Sequence, residues 1–126
     1  MALLLKVCLA GAIGTGIRYL VGLAAIRLFG ATFPWGTLAV NVVGCFFMSI
    51  VAYAAARLVI SSDARLVLGA GFMGGLTTYS AFNWETIAFL RDGAWGTGLV
   101  NVAVMLAACL AAGMLGLALA RAVLGS

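Results

Sequence analysis

The residues best suited to bind an ion lie in the middle of the third long apolar segment. Two adjacent glycines there, Gly74 and Gly75, weaken a helix, and the paired Thr77 and Thr78 can hydrogen-bond their own backbone instead of continuing the helix. Unwound backbone inside a membrane is tolerated where it is buried or lines a cavity, and its freed carbonyls can coordinate a cation. The segment therefore predicts a break near 74–78 that offers carbonyls to an ion. The alternative is a Gly/Thr face that packs helices together.

Aromatic and polar side chains follow this predicted break at helical spacing. Tyr79 and Phe82 are three residues apart and share a face, which Glu85 continues. Ser80 and Asn83 form a neighbouring polar strip. A carboxylate in a membrane segment is a functional candidate because it is costly to place there. The alternative role of Glu85 is a hydrogen bond to a neighbouring helix, and aromatic residues at this spacing also occur as core or lipid contacts.

Two further polar residues lie within apolar runs. Asn41 offers amide donors and an acceptor, which suits either an ion site or a hydrogen bond between helices. Arg18 has no acid near it in the sequence. Its side chain is expected to reach the membrane interface, or to pair with Glu85 or a backbone carbonyl.

The elements that position these residues follow from composition. Of the 126 residues, 66% are hydrophobic and 8% are charged, against about 25% charged residues in a soluble domain. This composition indicates an all-α integral membrane protein. The net charge of +4 comes from basic residues scattered singly, which suits lipid headgroups and excludes a nucleic-acid patch. The three cysteines, Cys8, Cys45 and Cys109, lack metal-ligand spacing and are interpreted as packing residues.

Hydropathy divides the chain into four segments within a single domain, 1–126. Each segment exceeds the roughly 20 residues that cross a bilayer, and the connections are too short for a further domain. The four predicted transmembrane helices cover about 2–29, 35–56, 65–90 with its break, and 95–119.

The distribution of positive charge leaves the orientation of these helices ambiguous. One side would hold Lys6, Arg57, Arg65 and Arg121, and the other Arg27 and Arg91. This is a weak positive-inside bias, so the chain is expected to insert both ways. Two copies in opposite orientations would then form an antiparallel dimer with its two-fold axis in the membrane plane, which is a hypothesis at this point. A stripe of small residues on the fourth helix favours close helix packing, within or between chains: Ala108, Ala112, Gly116 and Ala120.

Three motifs together resemble the Fluc (CrcB) family of fluoride channels. The first runs from Gly11 to Tyr19 and contains Arg18; the second, from Trp35 to Gly44, is similar to the family's GTLxVNxxG motif. The third, from Gly74 to Phe82, is similar to GGLTTFSTF except at two positions. The resemblance covers nearly the whole chain, and the second and third motifs in combination are highly specific.

The resemblance implies an antiparallel dual-topology homodimer in the cell inner (plasma) membrane. This dimer would let cytoplasmic fluoride leave the cell passively, through two pores that are each lined by both subunits, and so confer fluoride resistance. It also implies a structural sodium ion on the two-fold axis, held by the backbone carbonyls of Gly74 and Thr77. Asn41 is expected to donate hydrogen bonds to fluoride, while Tyr79 and Phe82 occupy the aromatic positions of the family's "Phe box". The remaining implied positions are Ser80, Glu85 and Asn101 in the pore and Arg18 in the vestibule.

Departures from the family pattern keep a second interpretation open. Tyr79 stands at the first aromatic position, and Met105 and Cys109 stand where the family often has Ser. Ala81, Asn83 and Asn101 also depart from the usual residues. The polar track on the fourth helix is depleted, so the partner is either a second copy or a homologous subunit of a heterodimer.

Three other classes of protein compete with a channel. A proton-coupled exporter like the small multidrug resistance transporters needs a carboxylate in the first helix, where this chain has only Lys6 and Arg18. An assembly subunit without transport would use every polar residue as a helix contact. An enzyme is not expected, because the chain has no His and offers no pairing of nucleophile and base.

Overall fold

Every regular element of the computed structural model is helical over the residues that it describes, 1–125. Three of these elements are long: α1, Ala2–Phe29; α2, Trp35–Ala56; and α6, Trp95–Leu124. Between α2 and α6 the chain forms four shorter ones, namely α3 (Ser62–Arg65), a π-helix (Leu66–Met73), α4 (Gly74–Leu76) and α5 (Tyr79–Arg91).

The three long helices have the length and hydropathy of membrane spans. Few of their residues are buried within the chain; in α1 these are Gly14 and Ala25. Large apolar side chains such as Leu9 and Leu110 point outward instead. An outward apolar surface on every long helix is expected when the solvent is lipid. The integral membrane, all-helical class predicted from composition is therefore confirmed.

The bounds of α1 and α2 coincide with the first two predicted segments, whereas α6 continues to Leu124, beyond the predicted end near 119. The third segment differs more. It begins with α3, whose N-cap Ser61 accepts a hydrogen bond from the Ala64 amide, and it then widens into the π-helix. No residue pattern in the sequence predicts this widened segment.

The helix breaks at Thr77 and Thr78, inside the predicted range. Both threonines are extended, with φ/ψ of −82°/158° and −154°/110°. Thr78 is the N-cap of α5, because its hydroxyl accepts a hydrogen bond from the Ala81 amide at 3.1 Å. Gly74 and Gly75 remain helical, so the threonines, and not the glycines, interrupt the helix.

Glycines instead allow close packing of helix backbones. A Cβ on Gly75 would overlap the Gly11 carbonyl of α1, and a Cβ on Gly116 in α6 would overlap the Phe46 carbonyl of α2. Each contact requires the absence of a side chain. These contacts hold the broken segment against α1 and bring α6 along α2, so the break lies beside the middle of α2.

Candidate functional site

The break is closed by one side chain from α2. Asn41 is buried, and its Oδ1 accepts a hydrogen bond from the Thr78 amide at 2.7 Å. Its Nδ2 donates to the Thr78 carbonyl at 3.1 Å. Both backbone groups of Thr78 are thus satisfied by an amide rather than by a helix. Buried backbone groups need such partners, so Asn41 maintains the interruption.

Two backbone carbonyls at the break lose their usual hydrogen-bond donors to side chains. In a continuous helix the carbonyl of Gly74 would accept from the amide of Thr78, and that of Thr77 from the amide of Ala81. The Thr78 amide donates to Asn41 Oδ1 instead, and the Ala81 amide donates to the Thr78 hydroxyl. The carbonyls of Gly74 and Thr77 therefore lose their helical donors. These are the two residues for which the family resemblance implies a role as sodium ligands.

The second donor position of Asn41 meets a weak acceptor. Nδ2 also lies 3.5 Å from the Met105 sulfur of α6, and a thioether accepts hydrogen bonds poorly. An anion placed near Met105 would be a stronger acceptor for this N–H. One N–H of Asn41 Nδ2 thus holds the Thr78 carbonyl, and the other is available to donate to a ligand.

Tyr79 and Phe82 form an edge-on aromatic pair directly after the break. Their ring centroids are 5.6 Å apart and the ring planes meet at 67°. Phe82 is 7% exposed, whereas Tyr79 is 76% exposed and projects from the chain. Ring edges carry partial positive charge, so this pair can present aromatic C–H groups to an anion. The hydroxyl of the neighbouring Ser80 lies 3.2 Å from that of Thr78.

Asn41, Thr78 and the aromatic pair line a groove of about 760 Å³ that opens on the outside of the chain, whereas Ser80 is exposed and lies outside its lining. We name it the α2–α6 groove. Its lining contains predicted pore residues and both predicted sodium ligands: Asn41, Gly74, Thr77, Tyr79 and Phe82. Met105 and Cys109 of α6 line it as well. The structure therefore brings together five of the residues that the sequence singles out.

Glu85 lies outside this groove, in a second cleft of about 360 Å³ between the end of α1, the start of α2 and α5. Its Oε1 accepts a hydrogen bond from the Thr37 hydroxyl at 2.5 Å. Its Oε2 is buried without a protein partner. Thr37 is a polar contact that sequence reasoning missed, although it belongs to the second motif. The signal is its position four residues before Asn41 on the same helix face.

The rim of this second cleft carries an ion pair. Arg91 donates to Asp92 at 2.8 and 3.2 Å, and this side-chain hydrogen bond lowers the pKa of Asp92. Arg91 also lies 5.9 Å from the Trp84 ring centre. This is the only ion pair among residues 1–125. Arg18, which is half-buried, consequently does not pair with Glu85 within the chain. Its position in a vestibule stays a prediction.

Asn101 forms a link between α5 and α6. It is 1% exposed, and its Nδ2 donates to the Thr86 hydroxyl at 2.9 Å. That hydroxyl in turn donates to the Phe82 carbonyl at 2.8 Å. The Oδ1 of Asn101 is buried without a protein partner. Asn101 thus does not line the α2–α6 groove, but it is one hydrogen-bonded residue away from Phe82.

The sequence matches one family and its relatives over most of the chain. Residues 5–117 match the family described as CrcB-like protein, Camphor Resistance (CrcB). A protein of Sorangium cellulosum is 47% identical over 90% of this chain and 90% of its own length. One of Rhizobium etli is 47% identical over 92% and 94%, and one of Chelativorans is 45% identical over 96% and 98%. All three relatives carry the name fluoride-specific ion channel FluC.

The match includes the motif around Asn41, the break at Thr77 and Thr78, and the aromatic pair, all of which lie within residues 5–117. The resemblance stated from those motifs is thereby confirmed. The chain belongs to the CrcB family.

Proposed function

We propose that this protein is a fluoride-selective ion channel of the inner (plasma) membrane. It lets cytoplasmic fluoride leave the cell passively and so confers fluoride resistance; it is not an enzyme. The observation that carries the proposal is the α2–α6 groove. There Asn41 closes a helix break and aromatic edges lie beside it, in a chain whose relatives are named fluoride-specific channels.

Fluoride is small and holds its water strongly, so a dry path must replace that water with donors. The N–H of Asn41 that faces Met105 supplies a directed hydrogen bond, and Phe82 and Tyr79 supply ring edges. Ser80 adds a hydroxyl beside the break. Glu85, in the middle of α5, and Asn101 of α6, which donates to Thr86 beside it, belong to the same path further along α5. Arg18 lies in a vestibule. Width and donor spacing would then disfavour larger halides.

The complete channel is a dimer. The broken third segment, Ser62–Arg91, also crosses the membrane, so each chain has four crossings together with the three long helices. Two chains pair in opposite orientations. The open α2–α6 groove supports this arrangement, because a single chain exposes Tyr79 and leaves the groove without an outer wall. A second copy, or a homologous subunit, would supply that wall from its own break and α6.

A sodium ion at the two-fold axis is part of the same proposal. The carbonyls of Gly74 and Thr77 have lost their helical donors to Asn41 and Thr78. Two such carbonyls from each protomer provide hard oxygen ligands, which suit a hard cation. The cation would also raise the local electrostatic potential for an anion.

A heterodimeric channel is the second candidate. Met105 and Cys109 present sulfur to the groove where the family often has hydroxyls. Sulfur accepts and donates hydrogen bonds weakly. In that case a homologous subunit supplies the missing hydroxyls, and this chain supplies Asn41 and the aromatic pair.

The test is fluoride efflux from liposomes that contain only this purified protein, read with a fluoride electrode, with chloride-loaded liposomes as the control. Rapid loss of fluoride without loss of chloride is expected for a self-sufficient channel. Loss of both ions would contradict selectivity. No fluoride loss from well-folded dimers, restored when a homologous subunit is added, would assign the heterodimeric function.

A further inference from the structure

Sulfur side chains concentrate in the α2–α6 groove. The chain has five methionines and three cysteines. Apart from Met1 and Cys8, every one of them lines this groove: Cys45, Met48, Met73, Met105, Cys109 and Met114. They come from α2, the π-helix and α6, which are remote in sequence. Apolar packing requires no particular element, so this enrichment calls for a chemical explanation.

Three of these sulfur residues line the groove from two facing helices: Cys45 on α2, and Met105 and Cys109 on α6. Cys109 Sγ lies 3.8 Å from Met105 Sδ, one turn away on α6. Cys45 of α2 lines the same groove as Cys109. The helices are held close at this level, because a Cβ on Gly113 would lie 3.3 Å from Ser49 Oγ and 3.8 Å from the Cys45 carbonyl. All three sulfurs belong to one chain, so the cluster exists without a partner subunit.

We propose that Cys45, Met105 and Cys109 bind a thiophilic monovalent cation of the Cu(I) and Ag(I) class. Thiolate and thioether ligands select soft cations of this kind. On binding, the S–H bond of Cys109 breaks and the proton leaves to water. An electron pair of the resulting thiolate sulfur forms the bond to the metal. Met105 and Cys45 contribute neutral sulfur lone pairs. A monovalent cation and one thiolate form a neutral complex, which suits an apolar groove far better than a net charge does.

Hard and divalent cations do not fit this cluster. Among residues 1–125 no group of three or more His, Cys, Asp or Glu side chains converges to hold a metal. Structural zinc almost always has four such ligands. Two thiols and a thioether fall short of that number, whereas soft monovalent ions accept two or three sulfur ligands. The cluster is also distinct from the carbonyls of Gly74 and Thr77, which are hard oxygen ligands.

The experiment measures silver binding to the purified protein in detergent. A Cys8→Ala background removes the exposed thiol of α1, and chloride-free buffer prevents precipitation of silver chloride. Native mass spectrometry and proton release are the readouts. The expected result is one silver ion per chain, with one proton released for each ion bound.

Two variants in this background identify the ligands. Cys109→Ser is expected to abolish stoichiometric binding and proton release. Met105→Leu, which keeps the apolar volume, is expected to weaken binding roughly tenfold or more, since loss of even an outer partner of a metal site has this effect. Met114→Leu is the matched control, because Met114 lines the same groove but is 72% exposed, and its affinity is expected to be unchanged.

Three outcomes would overturn the proposal: no bound silver in the Cys8→Ala protein, full binding by Cys109→Ser, or equal affinities of Met105→Leu and Met114→Leu. In the first case the cysteines are packing residues only. Gel filtration of each variant shows that it is folded, and the Met105→Leu comparison remains decisive if the cysteine variant misfolds.

Discussion

At the scale of the residue, Asn41 both satisfies the backbone at the helix break and keeps an N–H available for a ligand. It satisfies the amide and the carbonyl of Thr78, and it keeps one N–H directed at a poor acceptor, Met105. Removing the partner of a buried polar group costs about 1–3 kcal/mol. A substitution at this residue therefore affects both the break and the proposed anion path.

Asn41→Asp keeps the acceptor oxygen at this position and removes the N–H donor. The carboxylate still accepts from the Thr78 amide, but it has no N–H for the Thr78 carbonyl or for an anion. We expect fluoride efflux to be blocked in the liposome assay, since a negative charge also lies on the path. An Asn41→Asp protein that conducts fluoride at the original rate would exclude Asn41 as a fluoride ligand.

Phe82→Ile tests the aromatic pair. Isoleucine keeps an apolar side chain in the buried position but removes the ring edge. Fluoride efflux should therefore be lost, while gel filtration should still show the proposed dimer. Phe47→Ile is the matched control, because Phe47 is 46% exposed on α2 and does not line the groove. Undiminished efflux in the Phe82 variant would remove the aromatic residues from the mechanism.

At the scale of the element, the broken segment depends on contacts made by backbone. Gly75 meets Gly11 of α1, and Gly71 meets Val7 of the same helix. The π-helix has eight residues and α4 has three, and each is packed against α1. The glycine contacts with α1 are what position the residues on either side of Thr77.

Gly75→Ala should destabilise the protein. The added methyl group would overlap the Gly11 backbone, and overpacking of this kind costs about 1–3 kcal/mol. Gly16→Ala is the control, because a Cβ there has nothing within 4 Å and alanine favours a helix over glycine. Thermal unfolding in detergent should show a lower midpoint for Gly75→Ala only, and equal midpoints would contradict this packing.

At the scale of the whole molecule, a single chain has little interior. The buried apolar cluster consists of Val40, Met73 and Leu76, and most large apolar side chains are exposed. Lipid can cover the outward faces of α1 and α6. It cannot satisfy the polar groups in the α2–α6 groove, because hydrocarbon offers no hydrogen bonds. The groove therefore favours a protein partner.

Dual topology gives the whole-molecule prediction. The weak charge bias of the loops should insert the chain in both orientations. A cysteine-free protein with a single cysteine added beside Met1 should be labelled by an impermeant maleimide from both sides of the cell membrane. A second protein with the added cysteine beside Gly125 should behave in the same way. Labelling of each terminus from one side alone would exclude the antiparallel dimer.

The sequence alone determined the membrane class, the position of α1 and α2, and the family. Each of these depends on residues that are neighbours along the chain: an apolar run predicts a span from composition, and the motifs around Asn41 and Thr78 are local patterns. The break was also predictable within a few residues, since a threonine N-cap is a local feature.

Only the tertiary structure decided which groups meet. Asn41 and Thr78 are separated by 37 residues, and Thr37 and Glu85 by 48, so no local pattern specifies either pair. The assignment of the break to the threonines rather than the glycines depended on Asn41 and on the α1 backbone beside Gly75. The placement of Cys45 and Cys109 in one groove arises in the same way. Helix packing brings distant turns together, and the close approach of glycine backbones decides which turns they are.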